Sequence, residues 1–156
     1  MEQWRRRFLA RSTAAVLLPW LGSGLVLPGR VLAAEWQRNA FTSRQVAEAL
    51  KAYGTPTPQE VRDILIQAPE IAENGGKVDV EITVNVPGAR SLAVFADRNP
   101  FPMCLSLDFA PNVQPYARMQ LKLAESTRLR AVVKAADGKA YVAFREIKVT
   151  LGGCAA

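Results

Sequence analysis

The chain has 156 residues, enough for one domain with a genuine core and too few for two. It contains no histidine, which excludes histidine acid–base catalysis and histidine metal ligation, and Cys104 and Cys154 lie too far apart for a zinc or redox pair. The formal charge of +6 falls to +2 (15 basic, 13 acidic residues) when Arg5, Arg6, Arg7, Arg11, Arg30 and Glu2 of an export signal are set aside, so the clustered basic face that nucleic-acid binding requires is missing.

Residues 1–34 have the make-up of that export signal. A basic stretch from Met1 to Arg11 precedes a mostly apolar one from Ser12 to Leu27, and Val31-Leu32-Ala33 or Leu32-Ala33-Ala34 offers small residues for cleavage. The apolar stretch is too short and too poorly flanked for a membrane span. Arg5 and Arg6, a spacer, then Phe8 and Leu9 match the twin-arginine type, against the simpler reading of a merely basic signal. The twin-arginine route carries folded proteins and predicts a periplasmic destination.

Residues 41–54 predict a short helix. Thr42 and Gln45 are placed for a capping box, Phe41 can staple against Val46, and Val46, Ala49, Leu50 and Tyr53 form one apolar face that Gly54 ends. Glu60 to Ile64 can add one more turn after Pro56 and Pro58. Beyond Arg62 the pattern changes to that of strands. Ile64-Leu65-Ile66 is a short apolar run, and Glu73-Asn74-Gly75-Gly76 is turn chemistry. Val78, Val80, Ile82, Val84 and Val86 then alternate with polar residues as in a half-buried strand.

Leu92, Val94 and Ala96 carry the next strand, Asn99-Pro100-Phe101-Pro102 turns the chain, and Met103, Leu105, Leu107 and Phe109 alternate again, which puts Cys104 on the opposite face. Met119, Leu121 and Leu123 point inward from a further strand. Residues 129–135 and 140–149 pair as a hairpin across Asp137-Gly138, a dipeptide suited to a type I′ turn. Seven such strands predict an all-β fold, an immunoglobulin-like antiparallel β-sandwich covering residues 35–151, with the short N-terminal helix packed against it. In the last strand Tyr141, Ala143, Arg145, Ile147 and Val149 share one parity and Val142, Phe144, Glu146 and Lys148 the other, so the alternation does not single out a core face and leaves open a place near a sheet edge.

After Leu151 come Gly152, Gly153, Cys154, Ala155 and Ala156, a flexible C-terminal arm. The glycines widen the accessible backbone angles, and the chain from Leu151 to Cys154 reaches at most ~10 Å. The thiol of Cys154 can therefore enter a pocket of another protein without its domain following.

The helix Ser43-Arg44-Gln45-Val46-Ala47-Glu48-Ala49-Leu50, the run Ala68-Pro69-Glu70-Ile71-Ala72-Glu73-Asn74-Gly75, Asn85-Val86-Pro87-Gly88, Asn99-Pro100 and Lys148-Val149-Thr150-Leu151-Gly152-Gly153-Cys154 together resemble the SoxY family of sulfur carriers, from the bacterial thiosulfate-oxidising Sox system. The resemblance implies a non-catalytic periplasmic carrier whose Cys154 holds sulfur intermediates as covalent adducts, with Gly152 and Gly153 as the neck and no metal or other cofactor. It further implies pairing with a SoxZ-like subunit. It also implies service to a c-type haem enzyme that couples thiosulfate to the cysteine, a sulfate-releasing hydrolase and a sulfane dehydrogenase. Ala155 and Ala156 stand where the family pattern has two more glycines.

Other residues admit plainer readings. Cys104 is a small filler on the second face of its strand, or the partner of Cys154 in a disulfide that would lock the arm. Lys134, Lys139, Arg145 and Lys148 form a basic approach surface for anionic substrates, or simply a solvated strand face. The competing function is a non-catalytic periplasmic interaction domain whose tail cysteine only forms intermolecular disulfides.

Overall fold

The chain divides into Met1–Trp36 and Gln37–Ala156. A computed structural model describes residues 37–151. The export-signal positions Arg5, Arg6, Phe8 and Leu9 and the arm positions Gly152, Gly153 and Cys154 lie outside the described residues.

Among the described residues, two helices precede and accompany nine strands. The helices are α1 (Arg38–Thr42) and α2 (Val46–Tyr53). The strands are β1 (Gln59–Glu60), β2 (Ile64–Gln67), β3 (Ile71–Asn74), β4 (Val78–Val84), β5 (Ala89–Ala96), β6 (Met103–Asp108), β7 (Tyr116–Leu121), β8 (Thr127–Ala135) and β9 (Ala140–Leu151). One sheet runs β1-β9-β8-β5-β6, with β3 also on β9, and the other runs β2-β4-β7. All pairings are antiparallel except those of β1 and β3, which lie parallel to β9.

The predicted sandwich core is present. Val78, Val80, Ile82 and Val84 on β4 are buried against Leu92, Val94 and Ala96 on β5 and Leu129, Ala131 and Val133 on β8. A second cluster lies on the other side of the larger sheet, where Ala40, Ala49, Leu50 and Tyr53 of the helices cover Ala93, Phe95, Val132 and Val142. The domain is thus three-layered, with helices, the large sheet and the small sheet in that order. This burial on two sides makes β5 apolar at every position from Leu92 to Ala96, as expected when both faces of a strand are covered. It also resolves β9: Ala143 and Ile147 face the sandwich, while Val142 and Phe144 face the helices.

Several local expectations are corrected. The capping box does not form: Thr42 ends α1, its hydroxyl donates back to the Arg38 carbonyl at 3.0 Å, and Gln45 is the N-cap of α2 without a side-chain hydrogen bond. Phe41 and Val46 both pack on the helix-side cluster, and Gly54 ends α2 in the left-handed region at φ 83°. Instead of a helical turn after Pro58, Gln59 and Glu60 pair with Tyr141 and Val142 as β1. In the β8–β9 hairpin only Gly138 takes positive φ, with its N–H donating to the Ala135 carbonyl and Ala135 N–H to the Lys139 carbonyl. The connection is a three-residue turn closed by a left-handed glycine rather than type I′.

Cys104 is corrected too. Val94 pairs with Leu105 but Phe95 pairs with Met103, so Cys104 is the extra residue of a bulge. The bulge resets the alternation, and Met103 packs on the helix side while Cys104 joins Leu105 and Leu107 on the sandwich side.

Candidate functional site

What the fold does for the C-terminal arm is hold the strand that leads into it. At this end of β9 Ile147 is buried and Val149 packs against the sandwich core, and backbone pairing on both sides adds to that grip. On one side β3 pairs Ile71 with Lys148, Ala72 with Val149 and Asn74 with Leu151, and Lys148 N–H donates to the Glu70 carbonyl at 2.9 Å. On the other side β8 pairs Thr127 with Ile147 and then ends. Ser126 takes over from it: Val149 N–H donates to Ser126 Oγ at 2.9 Å, and the same hydroxyl reaches the Val149 carbonyl at 3.4 Å. Thr150 Oγ1 donates to the Glu73 carbonyl at 2.8 Å, so side chains support the ladder up to the second-last residue before the arm. β9 is therefore an inner strand, flanked by β8 on one edge and by β1 and β3 on the other, and the edge placement considered from sequence does not hold.

Beside this anchored end lies an open groove of about 410 Å³, lined by Asp97, Arg98, Ser126, Arg128, Glu146 and Lys148 among others. Strand register explains its composition. Arg128 pairs with Glu146, and Arg128, Arg130, Glu146 and Lys148 share the parity of Val132 and Val142, on the helix-facing side of the sheet. The helices cover only the first half of that face, so the later positions are polar and solvent-facing.

Asp97 organises the arginines. It accepts from Arg128 Nε at 3.0 Å and from Arg130 Nε at 2.5 Å and Nη2 at 2.8 Å. The two guanidinium groups also lie over the Phe144 ring, at 4.8 and 5.2 Å from its centroid. Arg98 is fixed at the backbone, where its N–H donates to the buried Thr127 hydroxyl at 3.0 Å.

The basic residues singled out from sequence do not converge. Lys134 is tucked under α2, its Nζ donating to the Tyr53 carbonyl and standing 3.8 Å from the Tyr53 ring centroid. Burial pulls its ammonium pKa down, and Asp108 partly offsets this. Lys139 stays in the hairpin turn 3.8 Å from Asp137, and Arg145 Nη2 donates to the Ala68 carbonyl at 3.3 Å. Of the four, Lys148 alone lines the groove. The cations that join it there, Arg98 and Arg128, with Arg130 behind, were missed from sequence. The observed register, set by the three-residue turn, puts Arg128 and Arg130 opposite Glu146 and Phe144, whereas the type I′ turn expected from Asp137-Gly138 would shift the pairing by one residue, so the sequence reading could not place them there.

Cys104 is a partly buried thiol that donates to the Pro102 carbonyl at 3.4 Å and receives a long contact, 3.9 Å, from Asn99 Nδ2. Burial pushes its pKa up, outweighing the opposing hydrogen bonds from the Ala96 backbone and the Asn99 side chain, so the reactive thiolate form is suppressed. Among the described residues no group of acidic or cysteine side chains is arranged to hold a metal ion, and no helix is long and apolar enough to cross a membrane.

Residues 49–154 match the family described as sulfur oxidation protein SoxY, a span that includes Gly152, Gly153 and Cys154. The fold is similar to the sulfur carrier protein SoxY from Chlorobium limicola f thiosulfatophilum, at 40% identity and a TM-score of 0.58, covering 65% of this chain and 93% of that one. It is also similar to a superoxide reductase (neelaredoxin) from Ignicoccus hospitalis, at 25% identity and a TM-score of 0.50, covering 56% of this chain and 80% of that one. No curated protein matches in sequence. With two thirds of its length accounted for by one family, and with the strand that carries the tail built and anchored as described, the chain belongs to the SoxY family of sulfur oxidation proteins.

Proposed function

We propose that the sulfur-bearing group of this Sox-system carrier is the thiol of Cys154, presented on the arm formed with Gly152 and Gly153. The observation that supports this most directly is that the family match runs to Cys154 itself, on a chain whose other cysteine, Cys104, is partly buried and held in the protonated form. The thiolate is the nucleophile that forms sulfur adducts, and such adducts are reversible caps, as a carrier needs. No lysine or arginine stands between Lys148 and Cys154 in sequence, and activation of Cys154 is assigned to the enzymes that receive the arm.

The domain holds the intermediate and leaves the bond-making to partners. Those are a SoxZ-like subunit, a c-type haem enzyme that joins thiosulfate to the cysteine, a sulfate-releasing hydrolase and a sulfane dehydrogenase. The setting is the periplasm, reached through the signal carrying Arg5, Arg6, Phe8 and Leu9. The anchoring of β9 fits such a carrier, because a firm root lets an arm of ~10 Å reach be aimed into a partner while the domain stays outside. The test is a Cys154→Ser variant in a strain that lacks the wild-type protein. Thiosulfate consumption should stop, whereas Cys104→Ser should leave it intact; consumption that continued in Cys154→Ser cells would refute the assignment.

A further inference from the structure

The two grips on the end of β9 meet in one short loop. Ser126 holds Val149 on one side, and on the other β3 pairs Asn74 with Leu151 before the chain turns at Gly75. Residues 122–126, which connect β7 to β8, join the two. This loop carries Ser126 itself, and its buried Leu123 donates its N–H to the Gly75 carbonyl at 2.7 Å. Whatever fixes the loop therefore fixes both flanks of the strand that leads into the arm.

Asn99, in the turn after β5, is placed to do so. Its Nδ2 donates to the Lys122 carbonyl at 2.9 Å and its Oδ1 accepts from the Ala124 N–H at 2.9 Å, so one carboxamide clasps the loop on either side of Leu123. The two backbone groups are of opposite kind, an acceptor and a donor, and a carboxamide supplies the complement of both. An aspartate would meet the Lys122 carbonyl with a second acceptor. Asn99 is itself held in place: its N–H donates to the Ala96 carbonyl at 3.1 Å, and the Arg98 N–H beside it donates to the Thr127 hydroxyl at 3.0 Å.

We propose that Asn99 is a positioning residue for the carrier arm: by clasping residues 122–124 it keeps Ser126 and the Gly75 turn against β9, and so sets the line along which Cys154 leaves the domain. The inference rests on the reading of Cys154 as the attachment site and adds to it a residue from a distant turn. The Ala124 N–H is part-buried, so without Asn99 the loop has to shift to satisfy it. Such a shift carries Ser126 away from Val149. The arm is short, so a displaced root misaims the thiol, and a misplacement of about 1 Å is enough to slow a reaction that depends on approach geometry.

The test follows residue-resolved amide exchange in the full, unloaded chain. Asn99→Ala should speed exchange at Val149 by about two- to fivefold, no more than Ser126→Ala does, and leave Val132 in the centre of β8 unchanged. Asn99→Asp, which keeps the acceptor for Ala124, should show the same pattern to a smaller extent. Because the effect passes through Ser126, adding Asn99→Ala to Ser126→Ala should not speed Val149 further. In cells, Asn99→Ala at wild-type carrier level should slow thiosulfate consumption about two- to fivefold. An unchanged rate at Val149, equal acceleration at Val132, or full multiplication in the double variant would overturn the proposal. So would normal consumption by Asn99→Ala cells where Cys154→Ser cells consume none. Exchange is read without any sulfur adduct, so its outcome is independent of whether Cys154 carries sulfur, which the Cys154→Ser strain decides.

Discussion

Ser126 and Val149 form a reciprocal pair: the Val149 N–H donates to Ser126 Oγ at 2.9 Å, and the hydroxyl approaches the Val149 carbonyl at 3.4 Å. Strand β8 begins at Thr127, so toward the arm its pairing stops one residue short of Ser126, and this side chain substitutes for the missing strand at the root of the arm. Ser126→Ala should loosen the end of β9 with little effect elsewhere. The loss of an exposed pair of this kind is worth about 0.5–1 kcal/mol. Amide exchange at Val149 should speed up by about two- to fivefold, while exchange at Val132 in the centre of β8 should not change.

Tyr53 ties α2 to the large sheet. Its hydroxyl and Ser91 Oγ are 2.9 Å apart in a buried site, and its ring meets Phe95 edge-on at a centroid distance of 6.1 Å. Tyr53→Phe keeps the ring and leaves Ser91 without that partner, at a cost of about 1–2 kcal/mol in denaturant unfolding.

The same residue sets an alkaline limit. Burial pushes the Tyr53 phenol above its ordinary value of 10.0, with Asp108 adding to the rise and the Ser91 and Ser106 hydrogen bonds opposing it. The folded state thus keeps its proton where the unfolded chain has begun to lose it. The stabilisation is complete below pH 10 and is lost as pH rises through the folded value. Lys134 works in the other direction, since its lowered pKa makes the folded state bind fewer protons and stability rise with pH over its own window. Unfolding curves between pH 9 and 11 should show a Tyr53-dependent decline that is absent in Tyr53→Phe.

The two cysteines should differ in reactivity. Burial suppresses the Cys104 thiolate, and its Sγ is turned to the Pro102 carbonyl inside the bulge. At neutral pH an uncharged alkylating reagent should modify one thiol fast and the other at least about tenfold more slowly. The fast phase should vanish in Cys154→Ser, and peptide mapping checks which residue is labelled first.

Strands with one covered face were legible in the sequence. The alternation of Val78, Val80, Ile82 and Val84 predicted β4 and its inward face, and Asp137-Gly138 located the last hairpin. Less legible were features decided by distant contacts. Gln59–Glu60 and Ile71–Asn74 become strands because β9 offers them an edge, and nothing in their own residues says so. The core face of β9 was ambiguous because it has two, a consequence of helices packing behind it. Cys104 was put on the wrong face because alternation cannot reveal a bulge. At the candidate site the residue proposed to bear sulfur was singled out from Gly152-Gly153-Cys154, whereas the groove beside the end of β9 depends on pairing Arg128 with Glu146 and on Asp97 arriving from the turn after β5.

The central claim is that Cys154 bears sulfur in the working protein. Mass spectrometry of the protein purified under non-reducing conditions from thiosulfate-grown cells tests it most directly. The C-terminal peptide should carry sulfane sulfur, thiosulfonate or sulfonate additions on Cys154, and the peptide containing Cys104 should carry none. A Cys154 found only as free thiol or in disulfides with other chains under those conditions would contradict the account.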